Sequence, residues 1–289
     1  MDIEVRQLRA LVAVDDERSF TAAADLLGTS QASVSRSLAA LEHALGTRLM
    51  HRTTRRVEPT DAGAAFAATA RRVLAELDRA VAEVRGERSV IRVGYAWAAL
   101  GAHTTPVLRG WNRAHPDAPI RLVRVNVRDG GLVDGVVDLA VIRHDVDRAD
   151  LDSELVGVEP RVVALPVDHP LADRPSVGLA ELVPFVVGVD RHTGTTSAAL
   201  WSSAGLDVPP MTETGDVEEW LDLIAAGDAI GVTASGTAHH YPRPGVVFVP
   251  IDDAPPIEVR LAWHHRHRHP AASRIARAIR AAYDAAALA

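Results

Sequence analysis

Phe20-Thr-Ala-Ala-Ala-Asp-Leu-Leu-Gly-Thr-Ser-Gln-Ala-Ser-Val-Ser-Arg36 decides how this chain begins. Ser19 stands where an N-cap belongs, just ahead of the short apolar run. Gly28 follows Leu27 at the position where a positive φ is cheap only for glycine. Ser30 then caps a second helix, along which Val34, Leu38, Leu41 and Leu45 recur at spacings of 4, 3 and 4 on one face. Ser33, Arg36, Ala40 and His43 repeat at 3, 4 and 3 on the opposite face. Upstream, Leu8, Leu11, Val12 and Val14 form the apolar side of a helix that ends near Asp15-Asp16-Glu17. The pattern is a helix-turn-helix. Its second helix buries one stripe and presents another of small side chains, which let a backbone approach the major groove closely. Gln31 can pair with adenine edges, and Arg36 with guanine or with phosphate.

Working outward, Arg52-Thr53-Thr54-Arg55-Arg56 follows Leu49, and Val57 and Pro59 resume a strand-like pattern. A Thr/Arg hairpin of this kind acts as a wing: its hydroxyls reach phosphates, and an Arg enters a narrow, electronegative minor groove. Charge supports this. The formal net charge is −7, yet residues 1–88 hold 13 Arg against 13 acids, whereas residues 89–289 hold 18 against 25. Within residues 30–57 there are five Arg and one acid, Glu42. A small basic surface thus sits on a chain that otherwise repels DNA. Thr60 and Asp61 open the next helix, with an N-cap and an acid in the first turn. It is expected to run to about Arg85. Phe66, Val73 and Ala80 are seven apart, as are Ala70, Leu77 and Val84, with Leu74 and Val81 widening the seam. Under three heptads is too short for a free-standing coiled coil, so pairing with a symmetry mate or packing on the winged domain is expected. Gly86 and Glu87-Arg88-Ser89 mark a hinge.

From Ile3 to Gly63 these residues resemble the amino-terminal domain of LysR-type transcriptional regulators. The family's usual recognition helix opens Ser-Gln-Pro-Ala-Val-Ser-Arg; here it reads Ser30-Gln31-Ala32-Ser33-Val34-Ser35-Arg36. Ala32 replaces a proline that is favoured but not required in a first turn. The resemblance implies that Ser30, Gln31, Ser33, Ser35 and Arg36 face the DNA. It also implies that Arg55 enters the minor groove, with Arg52, Thr53 and Arg56 on phosphates. It further implies that the linker helix makes a homodimer, that a tetramer assembles from it, and that the partner is a palindromic double-stranded operator. RNA polymerase is a further candidate partner.

Beyond Val90 the rhythm changes. Strands are expected at Val90–Tyr95, Ile120–Val125 and Asp138–Ile142, with a helix at His103–His115 and a short one at Leu132–Val137. A second unit follows, with strands near 161–165, 185–189, 230–233, 246–249 and 259–263. Helices are expected at Thr195–Ala204 and Val217–Ala226, and an amphipathic one at Ala271–Ala286 that returns to the first unit. Strands alternating with helices imply a mainly parallel α/β sheet. Arg92-Val-Gly, Gly135-Val-Val-Asp138-Leu-Ala, His169-Pro-Leu171 and Ile224-Ala-Ala-Gly227-x-x-Ile-Gly231 resemble, more loosely, the same family's periplasmic-binding-protein-like effector domain. The expected architecture is therefore α/β overall. A winged helix-turn-helix at 1–60 (motif about 20–39) precedes a linker helix at 61–88. A two-lobed effector domain occupies 89–289, with lobe 1 about 89–160 plus 267–289 and lobe 2 about 161–266.

Ligands of such folds sit where strand ends and helix N-termini face the cleft. The candidates are Trp97, Ala98, Asn126, Arg128, Arg143, Thr195, Thr196 and Thr233. Gly194-Thr195-Thr196 before a helix can hold a carboxylate on backbone N–H groups, and Arg143 can pair with the same anion. The alternative is that the threonines are caps and Arg143 pairs with Asp145 or Asp147. The family often has a hydroxyl residue near Ala98; its absence beside Trp97 points to a more apolar or aromatic effector, so the candidate ligands are an organic anion or an aromatic compound.

Other classes fare worse. With 47% hydrophobic residues the chain is not disordered, and with no cysteine it has neither disulfides nor thiolate metal sites. No stretch has the apolar length of a membrane span and no leader is evident, so a cytoplasmic protein with no membrane partner is expected. His264-His265-Arg266-His267-Arg268-His269 invites a metal, but its interleaved Arg residues repel one and no carboxylate lies within the run. No nucleophile elbow, zinc-protease helix, phosphate loop or dinucleotide fingerprint is present, so neither an enzyme nor a cofactor is expected. An architectural DNA protein leaves the acidic α/β portion without a purpose.

Overall fold

Local capping builds the N-terminal elements one by one. The computed structural model describes residues 3–52, 57–85, 89–146 and 148–287. Helix α1 (Val5–Glu17) ends on Arg18 in the left-handed region, at φ 50°. Helix α2 (Phe20–Leu26) starts where Ser19 Oγ accepts from the Ala22 amide at 3.3 Å. Gly28, at φ 61°, makes the turn, and Ser30 Oγ accepts from the Ser33 amide at 3.2 Å to open α3 (Gln31–Leu45). Each such cap contributes about 1 kcal/mol. Strands β1 (Met50–Arg52) and β2 (Val57–Pro59) pair antiparallel, with His51 opposite Glu58. Thr60 Oγ1 then accepts from the Gly63 amide at 2.9 Å, starting α4 (Asp61–Arg85).

The face read as buried is buried. Val34, Leu38 and Leu41 pack with Leu11, Val14, Leu49 and Ala67 into one cluster. Fully burying one such leucine is worth about 1.5–3 kcal/mol. Arg71 of α4 bonds to Asp15 and Asp16 at the end of α1. Burial opposes the Arg71 charge, but the hydrogen bonds to these two carboxylates outweigh it and raise the pKa. Contacts group Met1–Val90 with Leu132–Val137 as one unit, and Ile91–Gly131 with Asp138–Ala289 as another. Within the first, Arg72 donates to the Val133 carbonyl at 2.8 Å. The helix expected at Leu132–Val137 is instead a series of turns. Gly130, Gly131 and Gly135 all take positive φ, which breaks the helical path.

The second unit carries two five-stranded sheets. Its elements are β3 (Ile91–Tyr95), a 3₁₀ turn at Gly101–His103, α5 (Thr104–Ala114), β4 (Ile120–Arg124), β5 (Leu139–Ile142) and β6 (Leu151–Glu159). The second lobe follows with β7 (Arg161–Pro166), α6 (Leu179–Leu182), β8 (Val187–Asp190), α7 (Ala199–Ser202) and β9 (Met211–Thr214). It continues through α8 (Val217–Ala225), β10 (Ile230–Ala234), α9 (Ser235–His240) and β11 (Val246–Pro250). Finally β12 (Ile257–His264) and α10 (Ala272–Ala287) return to the first lobe. The sheet orders are β4-β3-β5-β12-β6 and β11-β7-β10-β8-β9.

Neither sheet is mainly parallel. β3 pairs parallel with β4 and β5, and β8 with β9 and β10, while β12 and β7 run antiparallel to both their neighbours. The chain enters the second lobe between β6 and β7 and leaves it between β11 and β12, so two crossings join the lobes. β12, read from the sequence as part of the second lobe, belongs to the first sheet. Strands β6 and β9 have no counterpart in the sequence reading. The helix expected at Thr195–Ala204 shrinks to α7.

Candidate functional site

Helix α3 offers its unburied face to solvent. Gln31, Arg36, Ala40 and His43 are exposed, Ser33 and Ser35 are half-buried, and Ser30 is exposed at the cap. Thr53, Arg55 and Arg56 lie outside the described residues, as does the side chain of Arg52. One contributor escaped the sequence reading. Glu42 Oε1 accepts from the amides of Leu49 and Met50, at 2.8 and 3.2 Å. It thereby ties the first wing strand to the recognition helix. The signal was available: Glu42 is the single acid in a basic stretch, placed where a charged acceptor would repel DNA unless it faces inward.

In the second unit a small cavity of about 30 Å³, partly open to solvent, lies between the lobes. Lobe 1 contributes Trp97; lobe 2 contributes Val189 and Asp190 from β8, Thr195 and Thr196 after it, Trp220 from α8 and Thr233 from β10. Four of the eight sequence candidates, Trp97, Thr195, Thr196 and Thr233, are thus brought together. Their local bonds define what they offer. The Trp97 indole N–H donates to the Thr193 carbonyl at 3.3 Å, bridging the lobes. Thr196 donates to the Val232 carbonyl at 2.7 Å, and the hydroxyls of Thr233 and Thr237 pair at 2.8 Å. Trp220 lies flat on the sheet: a Cβ added at Gly231 would stand 2.0 Å from its ring, and its N–H donates to the Gly188 carbonyl at 2.9 Å. Those two glycines make room for the indole.

The other four candidates are elsewhere. Ala98 has no exposed surface and, like Ala99, holds a positive φ. Asn126 donates to the Gly215 carbonyl at 3.0 Å, a second bridge between lobes. Arg128 is exposed and outside the cavity lining. Arg143 pairs with neither Asp145 nor an open cleft, and Asp147 lies outside the described residues. Its Nε and Nη2 each sit 2.9 Å from the Glu159 carboxylate, with side chains 3% and 5% exposed. Tyr283 donates to the same carboxylate at 2.8 Å; burial, then Glu159, pushes its pKa far above the phenol range. Arg143 also donates to the carbonyls of Trp97 and Ala99, and its guanidinium lies 4.7 Å from the Trp97 ring centre. It therefore holds the strained Trp97–Ala99 loop from behind.

The histidine run has structural partners. His265 Nδ1 is 3.1 Å from Asp152, Arg268 lies over the Trp263 ring, and His269 Nδ1 accepts from the Ala271 amide. Among the described residues no three His, Asp or Glu side chains group as metal ligands, and no helix is long and apolar enough to cross a membrane.

Comparison with known proteins agrees with this geometry. The family model described as "Bacterial regulatory helix-turn-helix protein, lysR family" matches residues 5–64, and "LysR substrate binding domain" matches residues 85–284. The uncharacterized HTH-type transcriptional regulator YnfL of Escherichia coli (strain K12) is 31% identical over 95% of this chain and 96% of its own. HcaR of the same organism, the Hca operon transcriptional activator, is 30% identical over 93% and 94%. A crystal structure of CbnR, a LysR family transcriptional regulator, aligns at a TM-score of 0.73 and 24% identity over 97% of this chain and 99% of that one. CbnR in complex with its target DNA aligns at 0.71, again 24% identical, over 96% and 99%. At that identity the likeness establishes the fold. The two family models together span the winged head and both α/β lobes, and this chain belongs to the LysR family of DNA-binding transcriptional regulators.

Proposed function

We propose that this chain is a cytoplasmic regulator that binds a palindromic operator as a dimer or dimer of dimers and answers to a small effector in the interlobe cleft. The observation carrying the DNA half is α3 itself. It is capped by Ser30, buried along Val34, Leu38 and Leu41, and pinned to the wing by Glu42, so Gln31 and Arg36 point outward from a rigid support. Ser33, Ser35 and the wing residues Arg52, Thr53, Arg55 and Arg56 complete the contact set. Helix α4 leaves Val73, Leu77 and Val81 exposed at a spacing of four. A second copy of α4 on that stripe supplies the two-fold axis that a palindrome requires. Effector contacts are assigned to Trp97, Thr195, Thr196 and Thr233, joined by Asp190 and Trp220. An effector shifts the regulator only if it binds two arrangements of the lobes unequally. RNA polymerase is the natural recipient of the resulting change.

The test is footprinting of the DNA flanking this chain's own gene at two salt concentrations. A two-fold-symmetric protected site is expected. Arg36→Ala should weaken it by about 1–3 kcal/mol, or roughly ten- to a hundredfold. Equal, weak binding to every duplex, unchanged by Arg36→Ala, would refute specific regulation.

A further inference from the structure

We infer that the connection between β4 and β5 is a strap that carries lobe movement to the DNA-reading head, with Arg71 as the positioning residue that receives it. This rests on the proposed operator binding and lobe rearrangement, and it deepens that reading by naming the route.

The strap is anchored at both ends. At its start Asn126 donates to the Gly215 carbonyl of lobe 2 at 3.0 Å, and Arg124, the last residue of β4, stands 3.9 Å from Asp216. Asp216 caps α8 by accepting from the amides of Glu218 and Glu219, and α8 carries Trp220 to the cavity wall. A rearrangement of the lobes that displaces the start of α8 therefore pulls on Asn126.

At its far end the strap lies on α4. Leu132–Val137 groups by its contacts with the head, while its chain neighbours on both sides group with the effector unit. Arg72 donates to the Val133 carbonyl at 2.8 Å, and Arg71 to the Asp134 carbonyl at 3.3 Å. Gly135 comes closest: an added Cβ would stand 2.6 Å from the Ala68 carbonyl oxygen. Leu132 and Val137 are buried, so apolar area holds the strap beside these bonds. Beyond it, Asp138 accepts from the Arg92 amide at 2.8 Å and returns the chain to the first sheet.

Arg71 closes the route. Its Nη1 serves the strap carbonyl, while its Nη2 bonds Asp15 at 2.6 Å and also Asp16, both at the end of α1. A single guanidinium thus joins strap, linker helix and the first helix of the head. Its planar fork is rigid, so following the Asp134 carbonyl turns Nη2 against the two carboxylates. Helix α1 passes the change on, because Leu11 and Val14 share a core with Val34, Leu38 and Leu41 of α3. Docked and released straps are then two states that the cleft and the operator can both bias, which is the physical condition for coupling.

The experiment measures operator affinity by fluorescence anisotropy for four full-length proteins: the wild type, Asn126→Ala, Arg71→Met and the double variant. Hydrogen exchange of the same proteins without DNA follows the strap directly. Asn126 lies in the effector unit, yet Asn126→Ala should change operator affinity by about two- to thirtyfold. It should also quicken exchange at Leu132–Val137 and at residues 15–18. In the Arg71→Met background the affinity change should vanish, whereas two residues that only stabilise the fold give effects that multiply. Gly135→Ala, which lifts the strap from Ala68, is a second way to cut the route and should erase the same change if Arg71→Met fails to fold. Affinity unaltered by Asn126→Ala, or effects that multiply, overturns the proposal. If the wild type binds no duplex specifically, the operator reading has failed and exchange alone decides the strap. Acceleration in Asn126→Ala that reaches residues 15–18 upholds it; acceleration confined to the surroundings of Asn126 and Gly215 overturns it.

Discussion

Removing the Glu159 charge tests how the effector lobe holds the loop behind its cleft. Glu159 accepts from Arg143 Nε and Nη2 and from Tyr283, all within 2.9 Å, at 5% side-chain exposure. In Glu159→Gln one oxygen keeps its donors, while the new amide turns its own N–H groups toward an arginine N–H. A buried guanidinium is left without a countercharge. Breaking a buried pair this way costs about 3–5 kcal/mol, and the retained oxygen places Gln near the lower figure. At roughly 2–4 °C per kcal/mol for a domain of this size, the melting temperature should fall by about 6–12 °C. The assay is clean, because all five tryptophans (97, 111, 201, 220 and 263) lie in the effector portion, so fluorescence melting reports on it alone. The double variant Arg143→Met/Glu159→Leu removes both charges and should recover at least half the loss. A shift below about 2 °C for Glu159→Gln, or a double variant less stable than the single, would refute the reasoning.

Three further outcomes follow from the packing. A Cβ at Gly63 would stand 1.8 Å from the Leu49 carbonyl oxygen, so Gly63→Ala must push α4 away from the wing base. It should cost at least about 2 kcal/mol and weaken operator binding, read by fluorescence anisotropy; unchanged affinity and stability would contradict that close crossing. Gly231→Ala drives the Trp220 ring off the sheet and should destabilise by about 1–3 kcal/mol, read by urea unfolding; unchanged stability would contradict that close contact. Burial lowers the pKa of His103, His169 and His240 below the ordinary 6.5. The unfolded chain therefore binds more protons than the folded one once pH drops below about 6.5, so stability is full above that value and declines beneath it. The urea midpoint of the tryptophan signal should fall from pH 7.5 to 5.5, and a flat or rising midpoint would exclude this linkage.

The DNA-reading head was open to the sequence because its signals act over three or four residues. Ser19, Ser30 and Thr60 each cap the helix that follows, and a cap bonds an amide three positions on. The Val34–Leu38–Leu41 stripe is read from helical period alone. The effector lobes were harder. Thr195–Ala204 has helical composition but folds only from Ala199 to Ser202, and Leu132–Val137 is turned by its glycines. Strand β12 has the same apolar rhythm whichever sheet it joins, so nothing local assigned it to the first lobe.

By itself, then, the sequence determined the winged helix-turn-helix, the span of the linker helix and the α/β character of the rest, and four of its eight effector-site candidates line the cavity. Tertiary structure decided the sites that depend on distant partners. Arg143 looked like an anion receptor until Glu159, 16 positions on, and Tyr283, another 124 beyond, closed around it. Asp190 and Trp220 became cavity residues only when β8 and α8 met Trp97 across the lobes. Capping and periodicity are encoded by near neighbours, whereas burial and charge pairing are settled by which remote segments the fold brings within a few ångströms.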